Sequence, residues 1–275
     1  MGGEGGRHDA TITDPGEGSR TKVTTCEDVA GQLRALGVRE GGVLLVHSSF
    51  RAVRPVEGGP LGLIGALRAA LGPEGTLAMP SATGDDDAPF DPATSANRED
   101  LGILPSLFWQ QPGVERSAHF DAVAAIGPKA AWLTGGPFVL PPAAPGSAID
   151  RIRAAGGQIL LLGVGHDANT MLHLAELLGG APYRSDFHYT DAEGVRVHYG
   201  ENDSCCARFA LADDWLRAEG LQREGQVGNA HARLIDAEDL IRLAVPRIAA
   251  DPLIFLHDAQ EGCEECDEAW ESLSR

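Results

Sequence analysis

The 275-residue chain has no apolar run near the roughly 18 residues that a bilayer-spanning helix needs, so a helix crossing a membrane is excluded. Basic charge is also scarce. Lys and Arg number 22 against 40 Asp and Glu, which leaves a net charge of −18 and a pI near 4.8. Affinity for nucleic acid comes mostly from neutralising phosphates, so such a partner is not expected. A cationic small molecule is favoured, because a cleft lined with one charge sign concentrates the other. The start, Met-Gly-Gly-Glu-Gly-Gly, lacks the basic and apolar regions of a signal peptide, which points to a cytoplasmic protein. Gly6 stands where a myristoylation opening needs Ser or Thr. No repeat, no heptad pattern, no P-loop and no full dinucleotide fingerprint occurs.

Hydrophobic residues make up 43% of the chain, enough for a sizeable core. The Gly-rich polar stretch 1–20 reads as disordered, and 21–275 as one domain. Strand-like and helix-like segments then alternate. Val29 to Leu36 is helical and ends at Gly37, and Val43 to Val46 is an apolar strand. Leu61 to Leu71 reads as a helix, Thr76 to Met79 as a strand, and Pro80 to Asp100 as a long irregular loop. Leu101 to Gln111 is helical, and Ala122 to Ile126 and Gly157 to Leu162 are strands. Tyr183 to Tyr199 reads as a hairpin turning at Glu193-Gly194, and Ala207 to Glu219 as a helix. The pattern predicts a layered α/β/α fold with a mainly parallel or mixed central sheet and a smaller, irregular C-terminal part.

Four features could carry chemistry. In LLLGVGHDANTMLHLAEL a buried strand meets a Gly-Val-Gly turn and then a helix starting near Asn169 or Thr170. His173 and Glu176 share one face of that helix, close to a strand end, where a His beside a carboxylate can act as a general base. Ser48 and Ser49 after the first strand, with Gly58 and Gly59 before a helix, are parts suited to a phosphate or pantetheine group. Asp85, Asp86, Asp87 and Asp91 lie in the long loop, where clustered carboxylates suit a hard metal or a polyamine. The five cysteines include the vicinal pair Cys205-Cys206 and the CxxC pair Cys263 and Cys266. With His188 as a fourth donor, they predict a structural zinc. Plainer readings stand beside each: a solvated His–Glu pair, a common α/β turn, an acidic loop that aids solubility, and reduced thiols.

The chain resembles the aminoglycoside 3-N-acetyltransferases of the antibiotic acetyltransferase family, which is distinct from the GNAT superfamily. The resemblance runs from Val23 to Asp267. It rests on GGVLLVHSSFRAVRP, GPLGLIGALRAALGPEGTLAMPS, FDPATS, ERSAHF, LLLGVGHDANTMLHLAEL, GENDSCCARFALADDWL, DPLIFLH and GCEECD. The late cysteine motifs look most like the type IV members, which act on apramycin and on gentamicin-like and tobramycin-like drugs. The resemblance implies antibiotic resistance by direct acetyl transfer from acetyl-CoA to the 3-amino group of a 2-deoxystreptamine ring, in a monomer or homodimer. By position, His173 is the implied base, Glu201 the acid that orients it and Asp203 a neighbouring acid, with Glu176 as a rival orienter. Ser48, Ser49, Phe50 and Arg51, then Gly58 and Gly59, and Ser117 and His119 in ERSAHF, fall on implied coenzyme-binding positions. Phe120 departs from the family's usual Pro there. Asp85, Asp86, Asp87 and Asp167 are implied partners for drug ammonium groups, together with Glu201 and His173. Two other functions remain in view. One is a metal-dependent hydrolase using His166, Asp167, His173 and the acidic loop. The other is a protein that binds aminoglycosides without chemistry.

Overall fold

Apolar residues alternate sides along the strands, and this alternation decides the layers. In the computed structural model, which describes residues 23–258 and 261–274, the stretch 1–20 lies outside the described residues. The strands are β1 (Val43–Ser48), β2 (Thr76–Pro80), β3 (Glu115–Arg116), β4 (Val123–Ile126), β5 (Gln158–Leu162), β6 (Ser185–Thr190), β7 (Arg196–Glu201), β8 (Gln222–Val227) and β9 (Ala230–Asp236). Seven form one sheet in the order β3-β4-β2-β1-β5-β9-β8, and β6 pairs with β7 in a separate hairpin. Only the neighbours β2, β1 and β5 run parallel. Their flanks are antiparallel, so the sheet is mixed.

One sheet face carries Leu44, Val46, Leu77, Met79, Leu160 and Leu162. It is covered by α1 (Cys26–Leu36), the short α2 (Phe50–Val53), α3 (Gly59–Leu71) and α4 (Ile103–Phe108). The other face carries Val43, Leu45, Ala78, Ile159 and Leu161. Over it lie α5 (Ala130–Thr134), α6 (Ala148–Ala154), α7 (Met171–Gly179), α8 (Leu211–Ala218), α9 (Ala237–Ala250) and α10 (Glu264–Ser272). Each fully buried Leu or Ile on these faces contributes about 1.5–3 kcal/mol by leaving water. Local signals fix the ends: Thr25 Oγ1 accepts from Asp28 N at 3.0 Å, and Gly37 closes α1 in the left-handed region.

The chain leaves β1 for β2 across the first face, through α2 and α3. It reaches β5, on the other side of β1, through α5 and α6 on the second face. Connections that diverge this way open a crevice beyond the carboxyl ends of β1 and β5, where open α/β sheets bind ligands. Gly163, just past β5, has φ 71, and a Cβ there would sit 2.6 Å from Ala52 Cβ. Glycine therefore lets α2 close in on the crevice floor.

The expected hairpin forms, with Gly194 at its turn in the left-handed region. Strands β8 and β9 and helices α9 and α10 have no counterpart in the sequence reading. The edge strand β8, Gln-Arg-Glu-Gly-Gln-Val, carries too few apolar residues to show a period of two. The long stretch after β2 holds only one short 3-10 turn, Glu99–Leu101. It is organised by Arg116, which donates to the carbonyls of Ser81 and Ser95, both at 2.5 Å, and to Asn97 Oδ1 at 3.0 Å. Its guanidinium lies 4.7 Å from the ring centres of both Phe90 and Trp109.

Candidate active site

His173 stands in the first turn of α7, at the crevice. Its Nδ1 lies 2.8 Å from Glu176 Oε2, and the other carboxylate oxygen accepts the Tyr183 hydroxyl. Glu176 and Tyr183 are almost fully buried. The ring of His173 meets Phe209 edge-on at 5.1 Å, and its Nε2 lies 3.9 Å from Cys206 Sγ. Burial alone would lower the His173 pKa. Hydrogen bonds to Cys206 and Glu176, and their charge, outweigh it and hold the imidazole well above 6.5. The resemblance gave the orienting role to Glu201. In the structure Nδ1 belongs to Glu176, because a helix brings residues three apart together.

A cavity of about 300 Å³ opens beside His173. His47 and Ser48 from β1, Pro80 from β2, Arg98 and Asp100, the segment Asp167 to Thr170, and Cys206 line it. His47 is buried and held at a pKa of about 4, by burial first and by nearby His166 second. His166 points away from His173: its Nε2 lies 2.9 Å from Gln222 Oε1 and its Nδ1 3.2 Å from Asn169 Nδ2. His166, Asp167 and His173 thus form no ligand group, and among the described residues one set of metal-capable side chains converges elsewhere.

Glu201 ends β7 and Asp203 follows it, and both feel the charge of His173. Burial raises Glu201 to about 7, helped by Asp121. Burial likewise raises Asp203. Asp121 carried no signal in the sequence; only the pairing of β4 and the placement of the hairpin bring it near Glu201. The acidic loop docks on that same hairpin. Thr190 Oγ1 donates to Asp86 O at 2.7 Å, and Asp87 pairs with Arg196 and with His188. The His188 hydrogen bond, then Arg196, holds Asp87 below the usual carboxylate range. Asp87 is therefore engaged within the protein, while Asp85 accepts from the Asp87 backbone at 3.2 Å.

The expected coenzyme positions separate. Ser48 lines the cavity. Ser49, Phe50 and Arg51 form the start of α2 directly beyond β1, with Ser49 N donating to Leu162 O at 2.9 Å. Gly58 and Gly59 are left-handed at the start of α3, in the turn that Glu57 N ties to Thr24, and do not line the cavity. Ser117 Oγ accepts from Val123 N at 3.0 Å. His119 Nε2 donates to Val139 O and its Nδ1 accepts from Asp121 N, each at 3.0 Å. Both residues border a small void of about 30 Å³ instead of the large cavity.

The cysteine set closes with a different histidine. Cys205, His257, Cys263 and Cys266 place one donor atom each within 4.8 Å of one another. Cys205 Sγ is 3.3 Å from His257 Nδ1 and 3.6 Å from Cys266 Sγ, and Cys266 Sγ is 3.5 Å from His257 Nδ1. Two expectations are corrected here: His188 is held by Asp87, on the exposed hairpin, and Cys206 faces His173.

Comparison with known proteins identifies the family. Residues 45–249 match the family model for aminoglycoside 3-N-acetyltransferases. Aminoglycoside N(3)-acetyltransferase IV from Salmonella is 58% identical over 238 residues, covering 86% of this chain and 91% of the relative. The crystal structure of AAC(3)-IVa superposes with a TM-score of 0.91 at 56% identity, over 92% of this chain and 100% of the other. A histidine-to-alanine variant of AAC(3)-IVa has been solved with a gentamicin and with apramycin. AAC-IIIb bound to CoASH aligns with a TM-score of 0.72 at 27% identity, over 83% of this chain and 97% of the other.

Proposed function

The chain belongs to the aminoglycoside 3-N-acetyltransferase family, and on that premise we propose that it moves the acetyl group of acetyl-CoA onto the 3-amino group of the 2-deoxystreptamine ring, with His173 as general base. Gentamicin-like drugs and apramycin are the proposed substrates, and resistance to them the consequence. The observation that carries the reading is the buried Tyr183–Glu176–His173 chain ending at a 300 Å³ cavity.

An aminoglycoside amine is mostly protonated at pH 7 and must lose a proton before it can attack. Glu176 occupies Nδ1 of His173, so the amine meets Nε2 and takes the place of the long Cys206 contact there. The amine nitrogen attacks the thioester carbonyl carbon, a C–N bond forms and the C–S bond breaks. One proton of the ammonium leaves to solvent before attack; as the C–N bond forms, Nε2 takes a second proton from the attacking nitrogen and returns it to the departing CoA thiolate. The raised pKa of His173 favours a proton on its imidazole in the free enzyme. An arriving polycation disfavours that imidazolium and helps to empty Nε2. The same cation favours the ionised forms of Glu201 and Asp203, so these half-buried acids become its counter-charges. Ser48, Ser49 and the start of α2 are the proposed contacts for the coenzyme at the mouth of the crevice.

A structural zinc fits the cysteine cluster. Tetrahedral zinc with sulfur and nitrogen donors sets ligand atoms about 3.5–3.8 Å apart, close to the separations among Cys205, His257 and Cys266. Soft thiolates with one imidazole suit zinc better than calcium or magnesium. All four positions are protein donors, so the ion would pin the C-terminal segment and take no part in transfer.

Incubating the protein with acetyl-CoA and a panel of aminoglycosides, while following thiol release, tests the reading. Release with gentamicin and apramycin, and an acetyl group located on the 3-amino nitrogen by NMR, are expected. Drug binding without thiol release would instead establish a non-catalytic binding protein.

A further inference from the structure

General-base removal of the amine proton covers only one side of acyl transfer. As the amine adds, the thioester oxygen gains negative charge, and a donor aimed at it lowers the barrier. Thr170 and His47 provide a pair of groups that the proposed mechanism leaves unused. Thr170 is the residue before α7, one helical turn ahead of His173, so both side chains lie on the same face at the same cavity. The backbone links them as well, His173 N donating to Thr170 O at 3.2 Å.

Three observations set Thr170 apart from an ordinary helix cap. A threonine in that position usually accepts from a backbone N–H of the first turn. Thr170 makes no such bond, and Asn169 Oδ1 takes Met171 N at 3.2 Å instead. The Thr170 hydroxyl turns to His47 Nε2 at 3.5 Å. His47 is only 6% exposed and, enclosed beside His166, stays neutral at working pH. A neutral imidazole can donate its Nε2 proton to the Thr170 oxygen, which leaves the hydroxyl proton free for another acceptor. Ser48, next on the strand, also lines the cavity, and its buried Oγ has no partner.

We propose that the Thr170 hydroxyl, oriented by His47, donates to the thioester oxygen of acetyl-CoA and stabilises the oxyanion formed during acetyl transfer. Thr170 is then a catalytic residue and His47 a positioning residue. The carbonyl π electrons move onto oxygen as the C–N bond forms and return as the C–S bond breaks. Thr170 keeps its proton throughout, so only His173 exchanges one. The proposal rests on the acetyltransferase reading above and adds the residue that faces the acyl oxygen.

Kinetics of the wild type, Thr170→Val, Thr170→Ser and His47→Gln with gentamicin and acetyl-CoA test it. Thr170→Val should lower kcat by about 100-fold, the scale for one oxyanion donor, with both KM values changed by less than about threefold. Thr170→Ser should recover most of the rate, and His47→Gln should fall between wild type and Thr170→Val. The acid limb of the Thr170→Val pH profile should stay in place, because His173 is untouched. A Thr170→Val protein with unchanged melting temperature and wild-type kcat would overturn the proposal, as would a defect confined to the KM for acetyl-CoA. If the wild type itself releases no CoA thiol, the functional reading fails and the proposal with it. An active wild type with an equally active Thr170→Val variant refutes the proposal alone.

Discussion

Cys205 and Cys206 are adjacent in sequence and belong to two differently built regions. Cys206, in the left-handed region with φ 55, turns toward His173 and the cavity. Cys205 turns toward His257 and Cys266. The His173 region grows from one helix: His173 and Glu176 meet because they are one turn apart, and Tyr183 follows seven residues after Glu176. The cysteine region is assembled from separate parts of the chain, with Cys205 some 52 residues from His257 and 61 from Cys266. The His173–Glu176 pair of the first region keeps its geometry as long as α7 is folded, with Tyr183 joining from just beyond the helix end. The second gathers thiols from segments that meet only through tertiary packing, Phe255, Leu256, Cys266 and Ala269 being buried in the second core face, and a bound ion would add to that packing.

The sharpest way to separate the regions is to remove each one's central group. His173→Ala should lower kcat by about 100-fold or more, the usual scale for a general base, with little change in melting temperature. Steady-state turnover near wild type in a folded variant would remove His173 from the mechanism. Cys263→Ser, or treatment with a strong chelator, should do the opposite: lower the melting temperature and leave the kcat of the folded protein near wild type. Elemental analysis of untagged protein should find about one zinc per chain, and a zinc-free protein with unchanged melting would refute the cluster as a metal site.

A smaller effect tests how His173 is tuned. Glu176→Gln removes the charge on Nδ1 but keeps the shape, and kcat should fall by about tenfold. The wild-type acid limb of kcat/KM should lie above the ordinary histidine value of about 6.5 and move down in the variant. Because the folded pKa of His173 is raised, its contribution to stability is fully present below about pH 6.5 and fades as pH climbs through the raised value. The wild type's stability advantage from that pair should shrink over the same window, as urea titrations at several pH values would show.

The smallest expected effects separate the acids near the cavity from those on the loop. Glu201→Gln should raise the aminoglycoside KM several-fold and leave that for acetyl-CoA alone, since Glu201 is half-buried beside His173. Asp86→Asn should act in the same direction but less, because an exposed ion pair is worth about 1 kcal/mol or less. Asp87→Asn should barely change KM, since Asp87 is already paired with Arg196 and His188. A larger effect at Asp87 than at Glu201, measured by initial rates, would reverse this ranking.

By itself the sequence determined whatever depends on neighbours along the chain. Periods of two and 3.6 follow from backbone geometry, so the strands around Leu45, Leu77 and Leu160 and the helix bearing His173 and Glu176 were legible. The CxxC spacing was legible for the same reason. Tertiary structure alone decided which groups from distant segments meet. It chose His257 over His188 beside the cysteines, and Cys205 over Cys206. It also slid Arg116 between Phe90 and Trp109 to hold the long loop, and brought Asp121 to Glu201. Those pairings depend on strand order and on the docking of the hairpin and the C-terminal segment. No spacing along the chain encodes a contact set by the closure of a sheet and the burial of its two faces.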